Sequence, residues 1–370
     1  MNLYIGADLG TSALKLMLIG ADGVIVKTVT KEYSVIYPRS GWSEQKPEDW
    51  WDALLKGLKE LLTGYDAKCV KGIGVAGQMH GLVALDKDDN VIRPAILWND
   101  GRTSKETEYL NKVIGSDKLS ELTANIAFAG FTAPKILWMK ENEPDNFARI
   151  SKIMLPKDYI NYRLTGIHAT DYSDASGMLL LDVKNKCWSE EMLKICSINI
   201  SQMPKLFESY EVIGSVLPEI ASELGISSKA IVVAGAGDNA AAAIGTATTG
   251  EGKCNISLGT SGTVFISSEK FGVDALPQVR SGMSVEVQVL NRQALDAVSL
   301  PLTAISYDEY NKPYVLLADG ESYRQQPITL GVSDGRNVEV LTGLADGETV
   351  YYLSDDLARF FAMRMGMMGQ

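Results

Sequence analysis

The chain has 370 residues, 46% of them hydrophobic and 22% charged, enough for two domains with a sizeable core in an ordinary globular protein. Its formal charge of −11 repels phosphates at long range and argues against nucleic acid or an anionic membrane as a general partner. Four scattered cysteines and two histidines give no metal-ligand spacing, and no basic-then-apolar leader or bilayer-length apolar run occurs, so the expected location is the cytoplasm.

The first elements read as a β meander: Leu3–Ala7, Leu14–Ile19 and Val24–Thr30, joined by tight turns. Asp8 stands just before the first turn, Gly10-Thr11-Ser12, with Lys15 in the strand that follows. Pro47 opens a helix whose Trp50, Trp51, Leu54, Leu55, Leu58, Leu61 and Leu62 share one face. Val70–Ala76 has the texture of a buried strand, and Gln78-Met79-His80 follows it in a loop bounded by Gly77 and Gly81. Val91–Trp98 reads as another strand, ending in Asn99-Asp100. Residues 103–230 carry mostly helical patterns, with loops expected at Leu155–Tyr159 and Asp171–Gly177. Ile231–Ala234 is a short strand, Gly235–Asn239 a turn, and Ala240–Thr246 a helix of tiny residues. Cys254–Leu258, Gly259-Thr260-Ser261-Gly262 and Thr263–Ser268 repeat the strand–turn–strand plan of the amino terminus. Beyond about residue 275 the pattern becomes purely β, with alternation at Val285, Val287 and Val289 and again at Ile328, Leu330 and Val332. The expected organisation is thus a mixed α/β domain over 1–250, one further hairpin over 251–275, a small all-β module over 276–352 and a Met-rich tail over 353–370.

Glycine in a turn lets backbone approach a phosphate closely, while neighbouring hydroxyls and N–H groups donate to it. One Gly-Thr-Ser hairpin is common turn chemistry; two copies about 250 residues apart, with Gly10, Thr11 and Ser12 in one and Gly259, Thr260, Ser261 and Gly262 in the other, resemble the paired phosphate loops of the actin-like ATPases, and that resemblance implies a shared phosphate site. Asp8 is placed to hold Mg²⁺ against phosphate oxygens, the plainer alternative being a turn cap. Asp238 follows a buried strand and precedes a helix, so it is the first choice for the carboxylate that takes a proton from an alcohol during phosphoryl transfer. A helix N-cap is its plainer role, and one residue can fill both. Gln78, Met79, His80, Trp98, Asn99, Asp100 and Asn239 offer polar and aromatic groups for a small polyol at strand ends, where ligands collect in open α/β sheets.

Tyr4–Ser12, Trp42–Gln45, Ala76–Gly81, Ile96–Arg102, Gly130–Lys135, Leu155–Tyr159, Gly237–Ala241 and Leu258–Gly262 fall in the order and rough spacing of the FGGY carbohydrate kinases, xylulokinases in particular. The resemblance covers about 1–273. It implies an actin-like ATPase (ribonuclease H-like) first domain, the truncated start of a second, and ATP-dependent phosphorylation of D-xylulose or a related ketopentose at the 5-hydroxyl. By this resemblance Asp238 accepts the proton, Met79 and His80 contact the sugar, and Asp8 serves the metal and phosphates. ATP, Mg²⁺ and the sugar are the expected ligands, no nucleic acid or membrane is expected, and a homodimer is left open. The family's later glycine-rich adenosine loop has no counterpart here, so the expectation is weak or absent turnover with sugar binding kept. Residues 277–352, through Arg280–Val285, Leu300–Ile305, Pro327–Gly335 and Val338–Glu348, resemble the membrane-proximal end of a periplasmic adaptor (membrane-fusion) protein of efflux pumps. The competing reading is a non-catalytic chimeric binding protein whose β module mediates association.

Overall fold

The computed structural model describes residues 2–250, 253–258, 262–267, 297–308, 310, 312–320, 322–333 and 337–352. The chain divides into two units, Met1–Met283 and Ser284–Gln370.

The first unit is built on a seven-stranded sheet. Strands β1 (Leu3–Leu9), β2 (Ala13–Gly20) and β3 (Ile25–Glu32) form the expected antiparallel meander. Helix α1 (Pro47–Leu62) crosses over to β4 (Val70–Gly77), which pairs parallel with β1. Farther along, β5 (Val212–Ser215), β6 (Ile231–Val233) and β7 (Ala236–Gly237) join, with β6 and β7 both parallel to β4. The order across the sheet is β5-β6-β4-β1-β2-β3, with β7 beside the end of β4.

Alternation along each strand separates a core face from an open one. Leu3, Ile5, Ala7 and Leu9 of β1, Leu14, Leu16 and Leu18 of β2, and Ile73 and Val75 of β4 are buried together with Trp50, Leu54, Leu58 and Leu61 of α1. That leaves Gly6, Asp8, Met17, Gly74 and Ala76 on the opposite face, where they floor a cleft. Helix α1 starts as its sequence dictates, with Pro47 at its first turn, Glu48 and Asp49 near its positive end and Lys59 near its negative end. A second core, including Leu82, Ile136, Met139, Leu155, Leu180 and Trp188, supports the loops on the sugar side proposed below.

Three local expectations are corrected. Leu155–Tyr159 is the start of helix α2 (Pro156–Thr165): proline occupies the first turn and the Asp158 carboxylate accepts from the Leu155 amide at 3.2 Å, a cap that the loop reading overlooked. Asp171–Gly177 closes into the short helix α3 (Tyr172–Ala175), capped by Asp171, which accepts from the Ser173 amide at 2.9 Å. Of Val91–Trp98 only Ala95–Ile96 is strand, since Pro94 has no amide to give to a ladder.

Asp238–Gly245 forms helix α4, and Cys254–Leu258 (β8) pairs antiparallel with Gly262–Ile266 (β9). The turn residues Gly259, Thr260 and Ser261 lie outside the described residues, as do Val285, Val287 and Val289 and the tail over 353–370.

The second unit is all-β over its described residues apart from a single 3₁₀ turn. Ser299–Pro301, Asn337–Thr342 and Thr329–Ser333 make one sheet. Ser306–Tyr307, Pro313–Asp319, Ser322–Pro327 and Val350–Tyr351 make another. They enclose a small core of Ile305, Val315, Leu317, Ile328, Val338 and Val340.

Candidate active site

Sheet register determines what meets at the cleft. Asp8 on β1 pairs with Lys15 on β2 and with Ala76 on β4, and Ala76 pairs in turn with Ala236 on β7. The carboxyl ends of three parallel strands therefore lie in one row, and Asp238 leaves the sheet two residues beyond Ala236. Asp8, Gly10, Asp238 and Asn239 all line a cleft of about 1140 Å³. Its floor is the open face of the sheet, and its walls are α4, Glu208–Tyr210, Phe265 of β9 and Ser267 just after it.

Both aspartates are pushed above the usual carboxylate range. For Asp238 the main cause is burial, opposed by the Asn239 amide (2.8 Å to Oδ1) and reinforced by the charge of Asp8. Asp8 is exposed on the open face of the sheet, and there partial loss of solvent raises its carboxyl while Lys15 pulls it back. Two mutually repelling carboxylates facing an open cleft suit a hard divalent cation, and their oxygen donors fit Mg²⁺. Among the described residues no group of three or more His, Cys, Asp or Glu forms a cage.

The first turn is held from behind. Gln45 donates to the Thr11 carbonyl at 2.7 Å, and the Trp98 indole donates to the Thr11 hydroxyl at 2.9 Å. The Tyr33 hydroxyl donates to the Gly10 carbonyl at 2.5 Å. Ser12 and Lys15 are exposed. Gln78 is buried and donates to Gln45 at 3.0 Å, while its carbonyl oxygen has no hydrogen-bond partner among the described residues. Trp98 thus braces the Gly10–Ser12 turn directly and Gln78 does so through Gln45, roles that spacing alone could not reveal.

Met79 sits beside the start of α4. The Asn239 amide donates to the Met79 sulfur at 3.7 Å, linking its loop directly to the Asp238 segment. His80 adopts a left-handed backbone (φ 68°), stacks on Phe131 at 4.6 Å, and donates from Nδ1 to the Gly177 carbonyl at 2.7 Å. Only glycine leaves room for this ring, since a Cβ at position 177 would meet it at 2.5 Å. Burial pushes the imidazole down to about 4, so at neutral pH it is uncharged, with Nε2 the ring's acceptor. Asn99 is exposed, and Asp100 is buried with its acceptors filled by the Ser43 amide (2.6 Å) and by the Arg102 amide and guanidinium. Asp100 therefore anchors Arg102, which lies over Trp42 at 3.8 Å.

Met17, Glu208, Ser209, Tyr210, Phe265 and Ser267 were not anticipated as lining residues. Met17 alone could have been found, since it lies two residues beyond Lys15 on the same strand face.

An open α/β sheet with paired carboxylates at its strand ends and a glycine turn nearby gives the first unit an actin-like fold. Residues 3–245 match the profile of the FGGY family of carbohydrate kinases, N-terminal domain, and the chain belongs to that family. It is 45% identical over 269 residues to the xylulose kinase of Escherichia coli K12, covering 73% of this chain and 55% of that protein. The xylulose kinase of Bacillus subtilis 168 is 43% identical over 272 residues, again 73% of this chain and 54% of the relative. Among solved structures, a xyloylose kinase from Brucella ovis superposes with a TM-score of 0.69 at 42% identity, covering 72% of this chain and 55% of that one. A xylulose kinase from Rhodospirillum rubrum gives the same TM-score and coverage at 27% identity. The chain spans about half the length of the curated relatives it matches. Residues 298–352 match the CzcB C-terminal circularly permuted SH3-like domain, in keeping with the resemblance of this segment to adaptor proteins. Among the described residues no helix is long and apolar enough to cross a membrane.

Proposed function

We propose that this chain binds D-xylulose and carries the catalytic carboxylate of an ATP-dependent transfer to its 5-hydroxyl. The observation that carries the reading is the convergence of Asp8 and Asp238 on one cleft, at the ends of strands that also present the Gly10–Ser12 turn. The named relatives supply the choice of sugar.

In this reading Asp238 lies against the sugar's reacting hydroxyl and accepts its proton as the oxygen bonds to the γ-phosphorus and the bond to ADP breaks. Its raised affinity for a proton suits that task, because a stronger base draws the hydroxyl proton more readily. Met79, His80 and Asn239 orient the sugar, with neutral His80 accepting through Nε2. The amides and hydroxyls of Thr11 and Ser12 donate to phosphate oxygens, Gly10 lets the backbone come close to them, and Lys15 adds a positive charge. Mg²⁺, held through Asp8, would offset the charge of the phosphate oxygens.

The test is ADP release by the full chain with and without D-xylulose. Any sugar-dependent release is expected to fall by about 10²–10⁴-fold in Asp238→Asn, the range for losing a general base. Release that ignores D-xylulose, or that persists unchanged in Asp238→Asn, refutes the assignment.

A further inference from the structure

Among the described residues the Asp238 carboxylate accepts only from the adjacent Asn239 backbone amide, so the backbone that delivers it must set its orientation. That backbone is a sharp passage. β6 ends at Val233, Gly235 turns with φ +77°, and β7 begins at Ala236. Any Cβ at 235 would lie 1.9 Å from the Val75 carbonyl oxygen.

Both ends of this passage are tied to buried charge. On the near side the Ala234 carbonyl accepts from Lys157 Nζ at 3.2 Å and from Asn161 Nδ2 at 2.9 Å. Lys157 is fully buried, and its ammonium lies 2.7 Å from Asp158, 3.2 Å from Asp171 and 3.8 Å from Asp174, all equally buried. Burial alone would strip its proton, but the three carboxylates outweigh that and drive the lysine above its ordinary value. On the far side the Gly237 amide donates to Ser173 Oγ at 3.1 Å. Ser173 in turn donates to Asp171 Oδ2 at 2.6 Å, and Ser209 donates to the same oxygen at 2.8 Å. Ser209 also accepts from the Gly235 amide at 3.0 Å through its carbonyl. The ammonium, Asp171 and Ser173 thus form a continuous path from one end of the passage to the other.

We propose that Lys157 and Ser173 are positioning residues for Asp238: the ammonium fixes the Ala234 carbonyl where the chain leaves the sheet, and the serine hydroxyl, oriented by Asp171, holds the Gly237 amide next to the acidic residue. The role in transfer rests on the kinase reading above; the holding of the segment does not. Removing Lys157 would leave three buried carboxylates without their cation and endanger folding. Ser173 is therefore the residue to test.

In the full chain, Ser173→Ala should speed amide hydrogen exchange at Gly237 by about tenfold or more while β1–β3 exchange as before. Ser173→Thr, which keeps the hydroxyl, should restore protection. Where the wild type phosphorylates D-xylulose, Ser173→Ala should lower kcat by about 10–100-fold, as expected for a misplacement near 1 Å, with KM for the sugar nearly unchanged and Ser173→Thr rescuing the rate. Unchanged exchange at Gly237, or an undiminished kcat in an active protein, overturns the proposal. A wild type that neither binds D-xylulose nor transfers a phosphoryl group, but loses Gly237 protection in Ser173→Ala, defeats the kinase reading while upholding the anchoring.

Discussion

His80 shows how burial fixes chemistry at one residue. Its ring is committed to Gly177 and Phe131, and burial holds it near 4 against an ordinary 6.5. Between those values the unfolded imidazole binds a proton that the folded one refuses, so the unfolded state holds more protons and stability falls with the pH. The contribution is complete above about 6.5 and is lost as the pH drops toward 4. His168, also lowered by burial, acts in the same direction, whereas the raised carboxyls of Asp8 and Asp238 act in the opposite one. The clean measurement is therefore the imidazole itself. Its NMR titration should show no inflection near 6.5 and one near 4. A His80 midpoint at the ordinary value would mean that the ring is not enclosed as described. The sequence placed His80 in the right loop, but its enclosure depends on Gly177 and Phe131, distant in the chain and invisible to local pattern.

At the scale of elements, strand ends and the turns after them create the site. The meander and α1 were legible because apolar residues repeat with the periods of strand and helix, and the structure extends each only slightly. The starts of α2 and α3 were not, because Leu155–Tyr159 and Asp171–Gly177 are short, polar and rich in charge that turns out to be buried. Burial of Lys157 with three aspartates cannot be read from a sequence in which each looks like a surface residue. Gly235 tests the passage that these charges hold. Gly235→Ala must push a Cβ into the Val75 carbonyl and strain a left-handed backbone, which should destabilise the first unit by about 1–3 kcal/mol. Chemical denaturation checks this: a shifted midpoint with an unchanged slope is expected, and an unshifted midpoint would contradict the close approach of β6–β7 to β4.

For the whole molecule, the change of texture near residue 275 corresponds to different kinds of unit: one around a seven-stranded mixed sheet, the other an all-β module with a small separate core. The acidic net charge is compatible with the proposed phosphate site, since glycine turns and strand-end amides supply local donors without any excess of lysine. Family membership follows from the first unit, and sugar recognition is a property the chain should display whatever its rate of transfer. Calorimetric titration of the full chain with D-xylulose measures that most directly. Saturable binding of one sugar per chain, weakened when Met79 and His80 are both replaced by alanine, is the predicted result; no binding of D-xylulose or of any other ketopentose by a folded chain would contradict it.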